Sequence, residues 1–346
     1  MSHCKRIALI GPRFFSYLEA IRNEFEKKGV FAITADDIHN QSIAWRVMYR
    51  LGLTTMYQRE LREYNYRLLL RLKEEKINQI LFVNCETYDE EFLDACERAN
   101  INVGVYFWDS LKNKPIFSKY INRFHRIASF DPGDCENLRL RYIPLFAERE
   151  FFDDPKQQEQ RKFDVCMVST IHSSRAEWVS ELYRLRNFGG NIKVFAYFSS
   201  KWLFFVRNLL RPSALSLLGR IECVPLNKRE VAELFKSSRD VVDVHHFKQR
   251  GLTSRTFEAL AAGARLITTN ADVVSLPASL RARTCLVNRP NELYEILSEV
   301  HKLLPLTNED QYFLSIERFV DQLLELINCG SSVEHATEIT PTGFKP

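Results

Sequence analysis

Residues 240–270 read DVVDVHHFKQRGLTSRTFEALAAGARLITTN, and this stretch decides how the rest of the chain is read. Its first residues, DVVDVHH, form an apolar run of the kind that makes a buried strand, here ending at His245 and His246. A polar loop with Gly251 follows. Thr253 or Ser254 then caps a short helix that stops at Gly263, and ARLITT begins the next strand at once. Strand, loop, helix and strand within 31 residues predict a βαβ unit with parallel strands. The amino end of the helix then lies at the carboxyl end of a strand, where N–H groups and a partial positive charge suit a diphosphate. Arg255, in the first turn, can add a charge-assisted bond to that group. Glu258, one turn inward, can accept the two hydroxyls of a ribose. A generic crossover helix with both residues as surface charges is the plainer reading, and these residues alone leave the two even.

The same alternation extends through the chain. Upstream, strands are predicted at 6–11, 30–35, 79–84, 101–107, 125–130 and 141–144, with amphipathic stretches between them such as SYLEAIRNEFEKKG, where Tyr17, Leu18, Ile21 and Phe25 share one face. The pattern breaks over AEREFFDDPKQQEQRK (147–162) and restarts at 163–169, 192–198, 220–225, 240–246, 264–269 and 284–287. The organisation expected is α/β, with two six-strand Rossmann-like domains facing across a cleft. A domain over 1–147 is followed by a linker at 148–162, a domain over 163–305, an amphipathic helix within 306–330 and a flexible tail at 331–346.

Composition narrows the class. The chain has 346 residues, 45% hydrophobic and 27% charged, as in ordinary globular proteins. No apolar run is long enough to span a bilayer, and Met1 to Arg6 lead into a strand without a secretory apolar region. Lys and Arg number 48 against 44 Asp and Glu, a net charge of +4 that is too dispersed to imply nucleic acid. Eight cysteines without a C-x-x-C pair, mostly in apolar runs, read as reduced core thiols of a cytoplasmic protein with no structural metal. Two segments stand out: residues 45–76, basic with interleaved Trp and Tyr, and 201–219, KWLFFVRNLLRPSALSLLG. Each is either a basic aromatic surface for anionic lipid or a lipid-linked acceptor, or a crossover with solvated charges. The solvated crossover is the favoured reading of both.

The motif of residues 257–263, Phe257-Glu258-Ala259-Leu260-Ala261-Ala262-Gly263, followed by Ala264-Arg265-Leu266-Ile267-Thr268-Thr269, resembles the E-A-x-A-x-G helix and following strand of GT-B glycosyltransferases. The likeness is strongest to the CgeB-like and lipopolysaccharide-biosynthesis members. Weaker segments extend it: Tyr142-Ile143-Pro144-Leu145-Phe146, FDVCMVST at 163–170, and Glu222-Cys223-Val224-Pro225-Leu226-Asn227. The resemblance implies that Glu258 binds the nucleotide ribose and that Arg255, with the helix amides at Thr253 and Ser254, holds the diphosphate. It places Ser169, Thr170 and Arg175 in a phosphate-contacting loop; His172, after the same strand, can bond a donor hydroxyl or a phosphate and is equally well read as a satisfied structural histidine. It also puts Gly11, in Gly11-Pro12-Arg13, where backbone approaches donor or acceptor.

The chain departs from the pattern at three points. Best-known retaining members carry a second Glu where this chain has Arg250, which can face an acidic sugar or a phosphate. Ala264-Arg265 replaces a usual proline, and the 169–175 loop lacks a common glycine. His245 and His246 can bond donor-sugar hydroxyls or a phosphate, and are equally well read as satisfied structural histidines. With the acceptor expected on the N-terminal half, the candidate general bases are Asp109, beside Trp108 as a sugar platform, and Glu86. Both sit at strand ends, and both also read as helix caps. The function expected is transfer from a nucleotide-sugar donor to a lipid-linked or surface-polysaccharide acceptor without a bound cofactor. A sugar-nucleotide epimerase and a non-catalytic protein of the same fold are the alternatives.

Overall fold

The computed structural model describes residues 5–12, 17–37, 54–85, 88–152, 161–171, 175–299 and 304–328, with backbone only at 54–57 and 212–213. The chain divides into two compact units, Met1–Ser129 with Val320–Pro346, and Phe130–Phe319. Two six-stranded sheets carry it.

The first sheet comprises β1 (Arg6–Gly11), β2 (Phe31–Asp36), β3 (Gln79–Val83), β4 (Asn102–Phe107), β5 (Arg126–Ser129) and β6 (Arg141–Tyr142). The helices interspersed with these strands are α1 (Tyr17–Lys27), α2 (Thr54–Glu74), α3 (Glu90–Arg98) and α4 (Pro132–Leu138). The second sheet comprises β7 (Phe163–Thr170), β8 (Ile192–Tyr197), β9 (Ile221–Glu222), β10 (Ser238–Asp243), β11 (Arg265–Thr268) and β12 (Thr284–Leu286). Its helices are α5 (Arg175–Asn187), α6 (Lys201–Arg207), α7 (Pro212–Leu215), α8 (Lys228–Lys236), α9 (Ser254–Ala261), α10 (Ala278–Arg281) and α11 (Leu293–Ser298), and α12 (Asn308–Leu314) and α13 (Ile316–Asn328) close the described chain.

The strands are continuous apolar runs because helices cover both faces of a parallel sheet. In β1, for instance, Ile7 to Ile10 have no exposed surface. The first sheet runs β2-β1-β3-β4-β5-β6 and the second β12-β11-β10-β7-β8-β9. The second is the Rossmann order, and the first begins in the other common doubly wound order. Each order reverses once, between β1 and β3 in the first sheet and between β7 and β10 in the second. Crossovers leave to opposite sides there, so the carboxyl ends of those two strands border a crevice.

All twelve predicted strands are present, with differences at their ends. The strand expected over 240–246 ends at Asp243, so His245 and His246 stand in the loop beyond it. Those expected at 141–144 and 220–225 shorten to the two-residue strands β6 and β9. The single amphipathic helix expected near the C-terminus is two helices broken at Ser315, whose backbone is extended (ψ 155°). Ala147 donates its amide to Leu314 O at 2.7 Å. Arg318, 5% exposed, gives its guanidinium to the carbonyls of Pro144 (2.9 Å) and Leu145 (2.6 Å). In the polar run after 146, Ala147, Glu148 and Phe151 are buried. Arg161 bonds Ser238 O at 2.5 Å and Ala262 O at 2.8 Å, tying the run to the start of β10 and the end of α9. The tail at 331–346 lies outside the described residues.

Of the basic segment 45–76, the part described is α2 and the two residues after it. It buries Leu61, Leu68 and Leu72 along one face and solvates charges of both signs on the other. Arg67 meets Glu63 at 2.7 Å and Arg62 meets Glu91 at 3.6 Å. Among the described residues, no helix is long and apolar enough to cross a membrane.

Candidate functional site

In the second unit the candidate site forms at the β7/β10 reversal. Asp243 ends β10 and is 7% exposed. Its Oδ2 accepts the hydroxyls of Thr253 (2.8 Å) and Thr256 (3.4 Å). Of the two expected caps, Thr253 holds the N-cap position of α9, but without a side-chain cap bond, because its hydroxyl is turned to the strand end. Ser254 begins the helix. This fastens the amino end of α9 over the mouth of the crevice. Gly263, at φ +66°, ends the helix in the left-handed conformation that favours glycine.

Arg175 opens α5 and ties the two central strand ends together. Its Nε donates to Val244 O at 2.9 Å, and its Nη1 to Thr170 O at 3.4 Å. Burial pulls its pKa below the ordinary guanidinium value; Asp243 opposes that and Arg255 adds to it. Two guanidinium groups thus share the crevice. Ser169 is half-buried, and its hydroxyl donates to Thr170 O at 3.3 Å. His245 Nδ1 lies 2.7 Å from Thr269 Oγ1, whose oxygen also accepts the His245 amide at 3.1 Å. Burial lowers the pKa of both His245 and His246, favouring neutral imidazoles at pH 7.

Glu258 is 1% exposed on α9, far more buried than a surface charge would be. A carboxylate in such a place needs a partner. Arg255 Nη1 supplies it at 2.6 Å, while its guanidinium lies 5.7 Å from the Phe235 ring centroid. A second buried acid, Glu148, lies close enough to interact with Glu258 and pairs with Lys228 at 2.5 Å. Burial pushes Glu148 up to about 7.

The loop before α9 is fixed from a distance. Asp131 Oδ2 accepts the amides of Arg250 (2.9 Å) and Gly251 (3.0 Å). Asn270 Nδ2 donates to Arg250 O at 2.9 Å. The Arg250 guanidinium spans Asp272 (2.9 Å) and Glu136 (2.7 Å). A Cβ on Gly251 would stand 2.6 Å from the Phe130 ring and 2.8 Å from Phe130 O. Gly251→Ala is therefore expected to lose about 1–3 kcal/mol of stability by overpacking, read as a lower denaturation midpoint. An unchanged midpoint would mean that the loop yields freely.

In the first unit a cavity of about 330 Å³ opens at the β1/β3 reversal, lined by Pro12, Tyr17, Leu18, Asp37, Val83, Asn84, Trp108, Asp109, Lys114 and Phe117. Gly11 ends β1 where a Cβ would come within 2.8 Å of Val83 Cβ, so glycine lets β1 and β3 close at this point. Asn84 and Cys85 both have left-handed backbone, at φ +71° and +68°. The Asn84 side chain staples two strand ends. Its Oδ1 accepts the amides of Trp108 (2.7 Å) and Asp109 (3.2 Å), and its Nδ2 donates to Asp109 Oδ2 at 3.2 Å. Burial raises the Asp109 pKa, against the opposing pull of Lys114 and Asn84. The Trp108 ring lies 5.3 Å from that of Tyr17. Glu86 and His172 lie outside the described residues. Among the described residues, no group of three or more His, Cys, Asp or Glu converges as a metal site would.

The structure thus brings Ser169, Thr170, Arg175, His245, His246, Thr253, Ser254, Arg255 and Glu258 to one strand-end region, and sets Gly11 and Asp109 at another. Sequence reasoning missed Asp243, Asp131 and Asn270 around the first, and Asn84, Asp37 and Lys114 around the second. A buried acid ending an apolar strand was the available signal for Asp243. Asp131 is separated from its loop by 119 residues and gave none.

No family model matches the sequence, and no curated protein matches it. Solved structures do. A trehalose-6-phosphate synthase studied with bisubstrate glycomimetics superposes with a TM-score of 0.56 at 11% identity, over 93% of this chain and 99% of that one. A UDP-GlcNAc 2-epimerase from Neisseria meningitidis, bound to UDP-GlcNAc, gives 0.55 at 12% identity with the same coverage. The lipopolysaccharide outer core galactosyltransferase WaaB gives 0.51 at 12% identity, again over 93% and 99%. At such identities the likeness establishes the fold: two Rossmann-like units in the GT-B arrangement of elements.

Proposed function

We propose that this protein is a glycosyltransferase that moves a sugar from a nucleotide-sugar donor to a hydroxyl of a lipid-linked or surface-polysaccharide acceptor. The observation that carries the reading is the first unit's cavity. There a carboxyl group with a raised pKa, Asp109, is held by Asn84 beside an aromatic platform. A volume of about 330 Å³ is at the small end of ligand pockets and suits one sugar ring. Proteins with this fold include a galactosyltransferase of lipopolysaccharide and a synthase studied with bisubstrate analogues.

In this reading the second unit holds the donor. Glu258 accepts the ribose hydroxyls, and Arg255, Arg175 and the amino end of α9 neutralise the diphosphate, with Ser169, Thr170 and the two histidines around it. Asp109 takes the proton of the acceptor hydroxyl as that oxygen bonds to the anomeric carbon. The bond from that carbon to the diphosphate breaks, and the leaving nucleoside diphosphate carries the electron pair into a field supplied by arginines and helix dipole. That field can stabilise the leaving group without a metal.

The first test is a thermal-shift screen against nucleoside diphosphates and their sugar conjugates. A ligand at 100 times its dissociation constant stabilises by about 2.7 kcal/mol. Glu258→Gln keeps the size of the side chain and is expected to lose that response while its ligand-free melting temperature stays within a few degrees. Silence across the screen, or a response that survives Glu258→Gln, overturns the donor assignment. Epimerisation of the sugar nucleotide without an acceptor selects the epimerase reading instead.

A further inference from the structure

We propose that the α6 surface of the second unit docks on an anionic lipid bilayer. Helix α6 is anchored through one side chain, Phe204, 1% exposed and packed edge-on against Phe198 at 5.2 Å. Ser200 caps its start, and Asn208 Nδ2 donates to Phe204 O at 2.8 Å near its end. Most of the other apolar side chains of the helix and of the turn after it face outward. Trp202 is 69% exposed, Leu203 55%, Leu209 53% and Leu210 96%. Scattered exposed leucines need no explanation, but a contiguous run with a tryptophan marks a surface that meets something apolar.

The charge identifies the occupant. No Asp or Glu stands between Glu181 and Glu222, while seven Lys or Arg do. Three of them, Lys201, Arg207 and Arg211, interleave with the exposed apolar residues and are themselves exposed. An apolar face whose own segment carries cations and no acids matches the interface of an anionic bilayer, where the rings and leucines enter the acyl boundary and the cations meet phosphates. Helix α2, the described part of the other aromatic basic segment, lacks this character, because its arginines are interspersed with glutamates, and Arg67 pairs with Glu63 and Arg62 with Glu91 of α3.

The position within the unit also fits. Helix α6 follows the carboxyl end of β8, the neighbour of β7, so the patch belongs to the same end of the sheet as the crevice with Arg175 and Arg255. Docking through α6 would present that end of the second unit toward the bilayer. The proposal does not depend on the transfer chemistry, and its assay contains no nucleotide, so either can fail alone.

The test is co-sedimentation of the purified full chain with vesicles of equal parts phosphatidylglycerol and phosphatidylcholine, against phosphatidylcholine alone. Binding is expected to the anionic vesicles at low salt and to weaken at high salt. Lys201→Glu/Arg207→Glu/Arg211→Glu and, separately, Leu209→Asp/Leu210→Asp should each weaken it about tenfold or more, with unchanged melting temperature. Arg59→Glu/Arg67→Glu on α2 should leave it intact. Failure to bind anionic vesicles, or binding indifferent to the α6 variants, overturns the proposal. So does self-association that the same substitutions abolish without vesicle binding, which would make the patch an interface between copies of this chain.

Discussion

If Asp109 is the general base of the proposed transfer, Asp109→Asn is expected to lower the rate of sugar transfer by about 10²–10⁴-fold, the span over which a positioned general base contributes, with nucleotide affinity unchanged. The substitution keeps the shape of the side chain and removes only the carboxylate proposed to take the proton. The pH profile gives a second reading. Burial raises the Asp109 pKa, so the acid limb of the wild-type rate is expected above the usual aspartate range and should disappear in Asp109→Asn. Stability has the opposite sign. A carboxyl whose folded pKa exceeds its unfolded value binds more protons when folded, so its ionisation at neutral pH costs stability that is regained as pH falls through the folded pKa. Asp109→Asn is therefore expected to melt higher than wild type at neutral pH, with the difference closing in acid. A rate within tenfold of wild type would remove Asp109 from the chemistry and favour a retaining transfer that rests on leaving-group stabilisation alone.

Asn84 shows why this arrangement was hard to read from sequence. QILFVN announces a buried strand, and an asparagine at its end looks like ordinary turn chemistry. Its importance lies in contacts to residues 108 and 109 just beyond the end of another strand, and periodicity carries no information about such pairing. The stretch 240–270 was legible for the opposite reason. Apolar run, glycine loop, small-residue helix and second apolar run are all local signals, so order and type of elements followed from them. Where local pattern and tertiary contact compete, the contact decides. The apolar period continues through Ser315, yet the helix breaks there. Ala147 has taken the carbonyl of Leu314, Arg318 is held by the carbonyls of residues 144 and 145, and the Ser315 hydroxyl accepts the Arg318 amide at 3.2 Å, starting a new helix. The departure at Arg250 is similar: its guanidinium is already spanned by Asp272 and Glu136, a placement that depends on where those acids fold.

Asp240→Ala is expected to cost about 3–5 kcal/mol, which for a unit of this size lowers the melting temperature by roughly 6–20 °C. Arg265 belongs to the Ala264-Arg265 pair that departs from the resembled motif, and the structure gives the reason for a charge there. Asp240 and Arg265 are paired in register on the adjacent strands β10 and β11. Two parallel bonds join them, Nε to Oδ1 at 2.6 Å and Nη2 to Oδ2 at 2.9 Å, with side chains only 10% and 8% exposed. Nη2 also donates to Ile296 O at 3.0 Å. Removing the acid leaves a guanidinium out of water with one carbonyl for company, and that uncompensated charge, more than the lost attraction, sets the size of the loss. The double variant Asp240→Leu/Arg265→Met removes both charges and should recover most of the stability. The pair also bears on the site, because β10 and β11 lead directly into His245 and Thr269, whose side chains meet at 2.7 Å. If the pair's role is to fix the register of these strands, the double variant will be stable but will bind nucleotide more weakly than wild type. Full recovery of both would mean that packing alone sets the register, and that the ion pair is replaceable.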